Sequence, residues 1–186
     1  MRVIAGAARG RRLTAPAGRD TRPTSDRARE GLFSTLEALR GPLAGARVLD
    51  LYAGSGAVGL EALSRGAAHV LLVESHGRAV TAIRSNVSVV GLPGAAVRAE
   101  RVARVLAGRP DERYDVVFAD PPYAEPVVEV LEALDGWLAP GGVVVVERAA
   151  RDDGLAWPSF IEPLRDRRYG EGVLWYGRRA ATEGAT

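Results

Sequence analysis

Residues 48–59 read Val48-Leu49-Asp50-Leu51-Tyr52-Ala53-Gly54-Ser55-Gly56-Ala57-Val58-Gly59, and this stretch decides the fold. It passes from an apolar run into a turn with the spacing G-x-G-x-x-G, after which a helix-like pattern begins. Glycines at such a turn let the backbone approach a bound cofactor closely. The stretch therefore predicts the first strand and helix of an α/β fold, with a cofactor site at the turn between them.

Strand-like and helix-like segments alternate from residue 47 onward. Apolar runs without polar alternation, such as Val70–Val73 and Val143–Val146, are typical of strands buried on both faces. Their alternation with helices implies a mainly parallel sheet that carries helices on both faces. The predicted strands are 47–51, 69–74, 96–99, 114–119 and 143–147, and the predicted helices are 58–65, 78–90, 102–106 and 127–138.

The two ends of the chain depart from this alternation. Residues 2–6 and 9–13 predict two short strands around a glycine-containing turn, and a helix follows as far as Leu39. Near the carboxyl end, a turn over 167–172 separates two strand-like pieces and predicts an antiparallel hairpin. We divide the chain into a basic N-terminal extension over residues 1–40, a main domain over residues 41–180 and a disordered tail over residues 181–186.

Arginine supplies every basic side chain, because the sequence contains no lysine. Residues 1–47 hold 10 Arg and 4 acidic residues, a net charge of +6, whereas residues 48–186 hold 15 Arg and 19 acidic residues, a net charge of −4. Clustered arginine is typical of surfaces that bind a polyanion, although a solvated basic surface has the same composition. The charge distribution therefore predicts a phosphate-rich partner at the front of the chain.

The composition excludes several classes of protein. With 0 Cys and 2 His, the chain has neither a disulfide framework nor a thiolate metal site, and we predict no metal. No apolar run approaches the roughly 20 residues that span a bilayer, and no signal-peptide core follows the first arginine. We therefore expect a soluble, cytoplasmic protein with no membrane partner.

Two acidic residues accompany the glycine turn. Glu74, at the end of the next predicted strand, is placed to accept hydrogen bonds from ribose hydroxyls, as in both NAD and S-adenosylmethionine sites. Asp50 lies four residues before Gly54, where a carboxylate would repel a pyrophosphate but would stabilise a cation. This difference favours S-adenosylmethionine, whose sulfonium and amino groups are positively charged, over NAD.

A second motif follows the apolar run Val116–Ala119 and reads Asp120-Pro121-Pro122-Tyr123. Proline cannot donate to a sheet and fixes its own φ, so the strand ends there with a stiff backbone. A carboxylate, a fixed carbonyl and an aromatic ring together suit a flat, amine-bearing base. The competing interpretation is a strand-ending turn that contains these residues without a function.

The motifs together resemble the RsmD-type 16S rRNA guanine-N2 methyltransferases, a group of class I S-adenosylmethionine-dependent methyltransferases. The resemblance covers nearly the whole chain and is carried by residues 2–6, 10–13, 21–24, 26–27, 29–30, 33, 50–56, 60–67, 73–74 and 120–123. It implies a Rossmann-like α/β fold whose mainly parallel seven-stranded sheet ends in an antiparallel hairpin. It also implies S-adenosylmethionine as cofactor and a guanine of 16S rRNA, within a small-subunit particle, as substrate.

The resemblance assigns three groups of site residues. Catalysis is assigned to Asp120, Pro121, Pro122 and Tyr123. Cofactor binding is assigned to Asp50, Tyr52, Ala53, Gly54, Ser55, Gly56, Glu74, Ser75 and Glu100. RNA binding is assigned to Arg9, Arg11, Arg12, Arg22 and Arg27, with a second contact from Arg167, Arg168 and Tyr169. One departure concerns the acidic residue that usually binds the adenine amine, because Arg101 occupies its position, and either Glu100 or backbone groups take over that contact.

Other functions remain open at this point. Asp-Pro-Pro-Tyr motifs also occur in adenine-N6 DNA methyltransferases, although 186 residues leave little length for segments that read a duplex. A non-catalytic module that binds RNA or S-adenosylmethionine would not need Asp120 and Tyr123. An NAD dehydrogenase is less consistent, because no acid–base pair can be assigned to it. We expect a monomer, which suits a small enzyme that docks on a large RNA.

Overall fold

The computed structural model describes residues 1–16, 26–122, 125–150 and 154–181. Its helices are α1 (Asp26–Arg40), α2 (Ala57–Ser64), α3 (Gly77–Val90), α4 (Val102–Leu106) and α5 (Val127–Ala133), the last continued by a 3-10 turn at Leu134–Gly136. Its strands are β1 (Arg47–Leu51), β2 (His69–Val73), β3 (Ala95–Arg98), β4 (Tyr114–Ala119), β5 (Leu138–Ala149), β6 (Ile161–Tyr169) and β7 (Gly172–Arg179).

All seven strands form one sheet in the order β3-β2-β1-β4-β5-β7-β6. Neighbouring strands from β1 to β5 pair in parallel, and β7 pairs antiparallel with both β5 and β6. The predicted mainly parallel sheet with a terminal antiparallel hairpin is thus confirmed. The strand order reverses between β1 and β4, and such a switch point is where open α/β sheets bind their ligands.

The central strands of the sheet are buried on both faces, as their apolar runs predict. Val48 and Val116 face a cluster formed with α1, α2 and α3, whereas Leu49 and Val117 face a second cluster formed with α4 and α5. Side chains alternate between the faces of a strand, so each face receives every second residue. Each buried valine or leucine contributes about 1.5–3 kcal/mol to folding.

The predicted N-terminal hairpin is reduced to a single antiparallel bridge between Arg2 and Arg12. The N–H groups of Ile4 and Ala5 donate to the Glu61 carboxylate of α2 at 2.7 Å and 3.0 Å. Because these amides are engaged with α2, they cannot extend a ladder across the hairpin. Apolar side chains of residues 1–13 share the core with α1 and the sheet. The predicted domain boundary at residue 40 therefore stays a prediction about function and not about packing.

Two predictions in the second half need correction. The predicted helix over 127–138 ends early, because the Tyr114 N–H donates to the Trp137 carbonyl at 2.7 Å and Leu138 already pairs in β5. The predicted turn over 167–172 is also too long. Residues 167–169 continue β6, and the chain reverses at Gly170, whose φ of 61° suits glycine.

Candidate active site

Three adjacent strands deliver the predicted cofactor and catalytic residues to one edge of the sheet. Leu51, the last residue of β1, pairs with Val73 of β2 on one side and with Ala119 of β4 on the other. The residues that follow these strands, including Glu74 and Asp120, therefore emerge side by side around the glycine turn. The structure brings together the two motifs that the sequence separates by more than sixty residues.

The glycine turn connects β1 to α2 with backbone angles that favour glycine. Gly54 and Gly56 have φ values of 57° and 76°, and Gly56 occupies the N-cap position of α2. Gly59 serves the packing instead, because a Cβ there would lie 2.6 Å from Leu72 Cδ2 and 2.8 Å from Val70 Cγ1. The conformation of the turn therefore depends on glycine, and α2 lies directly against β2.

Asp50 is a buried carboxylate with one unused oxygen. Its side chain is in the core, 1% exposed, and Oδ2 accepts a hydrogen bond from the Gly59 N–H at 2.8 Å. Oδ1 has no hydrogen-bond partner among the described residues. Burial, aided by the charges of Asp120 and Glu74, raises the pKa of Asp50 to about 7 against the lowering effect of the Gly59 bond. A nearby cation would stabilise this carboxylate, which fits the positively charged cofactor predicted from the sequence.

Glu74 fixes the glycine turn relative to β2. Its Oε2 accepts the Gly54 N–H at 3.0 Å, and its Oε1 accepts the N–H groups of Ser75 and His76, both at 2.8 Å. The side chain is 5% exposed. A carboxylate oxygen can accept more than one hydrogen bond, so this arrangement also permits the predicted contact with ribose hydroxyls.

Tyr52 and Ala53 begin the turn directly after β1. Tyr52 is the non-glycine residue with positive φ among those described, at 59°, and its hydroxyl donates to the carboxylate of Glu125. Burial, and then the bond to Glu125, raise the pKa of Tyr52. The Ala53 N–H donates to the Val73 carbonyl at 3.0 Å and so continues the pairing of β1 with β2 beyond Leu51.

The second motif leaves β4 with Asp120 at the surface. Asp120 is exposed, Pro121 is buried and Pro122 is exposed. The Pro122 carbonyl accepts the Glu125 N–H at 2.9 Å. Tyr123 lies outside the described residues, and its assignment stays a prediction.

Glu100 follows β3, one strand further from the centre of the site. Its carboxylate forms ion pairs with Arg98 at 3.9 Å and with Arg104 at 3.3 Å, and its side chain is 40% exposed. Arg101, which occupies the expected acidic position, is exposed and precedes α4. Ser75 is exposed beside Glu74. The adenine contact of Glu100 and the cofactor contact of Ser75 stay predictions.

The arginines assigned to RNA have different environments. Arg9, Arg12 and Arg27 are exposed, and Arg9 and Arg27 line a cleft of about 510 Å³ between the N-terminal segment and α1. Arg11 Nη1 instead donates to the carbonyls of the last turn of α3, at 2.9 Å in the case of Val89. Arg22 lies outside the described residues. Arg11 is also exposed but has a partner within the fold, and the RNA contacts of all these arginines stay predictions.

The proposed second RNA contact lies on the edge strand of the sheet. Arg167 and Arg168 are exposed on β6. The Tyr169 ring packs against α1, where a Cβ added to Gly31 would lie 2.1 Å from the Tyr169 hydroxyl oxygen. Charged side chains on an edge strand also prevent pairing with another sheet, so their contact with RNA stays a prediction.

A buried cluster of charged side chains is not predicted from the sequence. Arg29 of α1 and Glu61 of α2 are both 0% exposed, and the Arg29 Nε and Glu61 Oε2 atoms lie 4.0 Å apart. Arg29 Nη2 donates to the Arg2 carbonyl at 2.5 Å and to Asp26 Oδ1 at 2.9 Å. The available signal is Glu61 itself, which interrupts an otherwise apolar helix. The cluster attaches the N-terminal segment to the helix that follows the glycine turn.

Asn86 of α3 is a second residue that the sequence does not reveal. It is 0% exposed, its Oδ1 accepts the Thr14 N–H at 2.8 Å, and its Nδ2 donates to the carbonyls of Thr14 and Ser55, both at 2.9 Å. The amide thus links the N-terminal segment to the glycine turn. Its only local signal is a polar residue three positions after Ile83 on the apolar face of a helix.

Neither a membrane span nor a metal site is found within the described ranges. None of the helices there is both long and apolar enough to cross a bilayer. His, Asp and Glu side chains in the same ranges form no group of three or more that could hold a metal ion.

Comparison with known proteins gives consistent matches. A family model described as conserved hypothetical protein 95 matches residues 1–178. A Bacillus subtilis (strain 168) protein, provisionally named rRNA methyltransferase YlbH, is 37% identical over 191 residues, covering 96% of this chain and 100% of the relative. Ribosomal RNA small subunit methyltransferase D of Escherichia coli (strain K12) is 38% identical over 153 residues, covering 79% of this chain and 74% of the relative.

A solved Escherichia coli structure, provisionally described as the methyltransferase yhhF, matches with a TM-score of 0.85 at 33% identity, over 98% of this chain and 99% of that one. The homologues and structural neighbours are S-adenosylmethionine-dependent methyltransferases, which confirms the predicted fold class and cofactor. The resemblance stated from the motifs is also confirmed. The chain belongs to the conserved hypothetical protein 95 family.

Proposed function

We propose that the protein transfers a methyl group from S-adenosylmethionine to the exocyclic N2 amine of a specific guanine in 16S rRNA. The observation that carries this proposal is the meeting of Asp120 with Asp50 and Glu74 at the switch point of the sheet. The match to a ribosomal RNA small subunit methyltransferase supports the choice of rRNA. The guanine amine follows from the resemblance of the motifs.

Several described residues fit the cofactor. Asp50, with its buried and unpartnered Oδ1, would hold the positively charged end, and the glycine turn would admit the cofactor close to the backbone. Glu74 would accept the ribose hydroxyls, and Glu100 would lie near the adenine. When bound, S-adenosylmethionine supplies an electrophilic methyl group on a positively charged sulfur.

Asp120 and the two prolines act on the amine. A guanine amine is a weak nucleophile because its lone pair is delocalised into the ring. The Asp120 carboxylate accepts one N–H of the amine, and the Pro121 carbonyl accepts the other, which localises the lone pair on nitrogen. Tyr123 stacks on the base. Asp120 then takes the proton that the methylated nitrogen loses, and a carboxylate of ordinary pKa, about 3.9, suffices because that nitrogen is acidic.

The N-terminal arginines hold the RNA. Arg9, Arg12 and Arg27 bind phosphates from exposed positions, and Arg22 adds a contact from outside the described residues. A guanine within a duplex must leave its stack to reach Asp120, so an unpaired or loop nucleotide is the target. We propose that the enzyme acts as a monomer on a small-subunit particle in the cytoplasm.

The test offers labelled S-adenosylmethionine with three acceptors in parallel: small ribosomal subunits, naked 16S rRNA and DNA. We expect N2-methylguanosine in the RNA and no label in the DNA after nucleoside analysis. Asp120→Ala should lose the product, whereas Asp111→Ala, an equal change in an exposed turn at the opposite end of β4, should keep it. N6-methyladenine in DNA would favour the adenine enzyme, and cofactor binding without transfer to any acceptor would favour a non-catalytic module.

A further inference from the structure

Tyr52 and Glu125 connect the two loops that carry the proposed chemistry. Tyr52 begins the glycine turn after β1, Glu125 lies five residues beyond Asp120, and the Tyr52 hydroxyl donates to the Glu125 carboxylate. We propose that this cross-loop hydrogen bond holds the Asp120 loop against the glycine turn, so that Tyr52 and Glu125 are positioning residues for methyl transfer. The inference rests on the proposed function of Asp120.

Tyr52 is a rigid donor. Its φ of 59° lies in the left-handed region, which costs free energy for a residue with a Cβ and persists only where the surroundings enforce it. Its ring is partly buried against the apolar cluster beneath α4 and α5. The ring and the backbone are thus both restrained, and the hydroxyl is presented to Glu125 from a fixed direction.

Glu125 is held through its backbone as well as through its side chain. Its N–H donates to the Pro122 carbonyl at 2.9 Å, and Pro126, with φ of −70°, precedes the first residue of α5. Asp120 lies only two residues before Pro122, so the hydrogen bond between Glu125 and Pro122 couples the position of Glu125 to that of Asp120. A free Glu125 would remove this restraint at the carboxyl end of the loop.

Both ends of the Asp120 loop are therefore anchored to the same part of β1. At the start of the loop, Ala119 pairs with Leu51 in the sheet. At the end, Glu125 is held by Tyr52, the residue directly after Leu51. The Asp120 carboxylate, which would receive the amine, is thus bracketed by contacts with two consecutive residues, Leu51 at the end of β1 and Tyr52 directly after it. Such bracketing matters because a displacement of about 1 Å can lower a rate by about 100-fold.

The first test measures the loop without RNA or cofactor, by hydrogen–deuterium exchange of backbone amides in residues 119–126. Tyr52→Phe keeps the ring and removes the donor, and Glu125→Ala removes the acceptor. Both should raise the exchange rate of the Glu125 amide. Glu125→Gln keeps an acceptor oxygen and should show the slow exchange of the wild type. Glu129→Ala, the control, removes the same charge within α5 and should also leave exchange slow. Unchanged exchange in Tyr52→Phe and Glu125→Ala would overturn the proposal.

The second test measures methylation of small ribosomal subunits by the same variants. Tyr52→Phe and Glu125→Ala should each lower kcat by about tenfold, and in Glu125→Ala the KM for S-adenosylmethionine should change by less than about twofold. The double variant should be no worse than either single variant, because both remove one interaction. Multiplicative losses of kcat in the double variant, or full activity in the single variants, would overturn the positioning role.

Failure of the wild-type protein to methylate RNA would instead overturn the proposed function. The exchange rates would still decide whether the hydrogen bond orders the loop.

Discussion

Asp50 in β1 and Asp120 directly after β4 belong to adjacent strands, and the fold places their carboxylates in opposite environments. Asp50 is 1% exposed, bonded to Gly59, and has a pKa raised to about 7 by burial. Asp120 is exposed to solvent. The buried carboxylate suits a cation that stays bound beside it, whereas the exposed one suits a base that enters from solvent.

The surroundings of the two residues show the same difference. On the cofactor side, Glu74 already accepts three backbone N–H groups that order the glycine turn. On the substrate side, Arg9 and Arg12 project into solvent near the N-terminal bridge. We infer that folding alone organises the proposed cofactor half of the site, which consists of Asp50, Glu74 and the glycine turn. RNA completes the proposed substrate half, which consists of Asp120 and the exposed arginines, when it binds. The following predictions test this division.

The largest effect is expected at Asp120. Asp120→Ala removes the group that accepts the amine proton, so kcat should fall by about 1,000-fold, within the usual range for a general base. The dissociation constant for S-adenosylmethionine, measured by calorimetry, should change by less than about threefold because the cofactor half is intact. Loss of cofactor binding in this variant would contradict the division of the site into two halves.

The next effect concerns the packing that supports the cofactor half. Gly59→Ala would place a Cβ 2.6 Å from Leu72 Cδ2 and 3.1 Å from Asp50 Oδ2, and overpacking of this kind costs about 1–3 kcal/mol. We expect a lower free energy of unfolding in urea and weaker cofactor binding. Gly77→Ala is the control, since a Cβ at that first position of α3 meets nothing within 4 Å. Equal stability of the two variants would contradict the packing role of Gly59.

The pH dependence of cofactor binding tests Asp50. The cation favours the ionised carboxylate, and a pKa of about 7 means that ionisation rises about tenfold between pH 6 and pH 8. Affinity for S-adenosylmethionine should rise by about the same factor over that interval. Asp50→Asn should bind weakly, with a flat profile. A wild-type affinity independent of pH would contradict a protonated Asp50 in the free protein.

The same pKa affects the stability of the free protein. The folded-state pKa of Asp50 lies above the unfolded value of 3.8. Between about pH 3.8 and about pH 7, Asp50 therefore keeps a proton in the native protein that it has lost in the unfolded chain. This contribution to stability is present below pH 3.8 and is lost as the pH rises through about 7. Asp50→Asn should lose less stability between pH 5 and pH 7.5 than the wild type, as measured by urea unfolding.

The smallest effects are expected at single arginines. Arg9→Ala and Arg12→Ala should each weaken RNA binding about threefold to tenfold and lower the slope of log affinity against log salt by about 1. Arg11→Ala should lower the free energy of unfolding by about 0.5–1 kcal/mol, because Arg11 binds the carbonyls at the end of α3. Equal salt slopes for wild type and Arg9→Ala would argue that Arg9 does not contact phosphate.

Local pattern predicts the central strands well. The strands β1, β2 and β4 lie within one residue of their predicted ends, because strands buried on both faces have continuous apolar runs. The glycine turn and the acidic residues beside it can also be predicted from the sequence, because the role proposed for each depends on residues close to it in the chain. Their meeting with Asp120 follows from the general rule for parallel sheets.

Contacts between distant residues account for what sequence does not predict. The helix after Val127 ends early because Trp137 and Leu138 bond to β4, and nothing local marks this pairing. The contact of Arg11 with Val89 joins residues separated by 78 positions, so charge composition alone indicates only a basic surface. Asn86 likewise acquires its role from Thr14, on a different part of the chain.

The most direct test of the central claim is a calorimetric titration of S-adenosylmethionine into the RNA-free protein at pH 8. We predict saturable binding at one site per chain, weakened in Asp50→Asn and retained in Asp120→Ala, because the cofactor half is complete before RNA arrives. Binding that requires RNA, or that fails in Asp120→Ala while surviving in Asp50→Asn, would contradict the account.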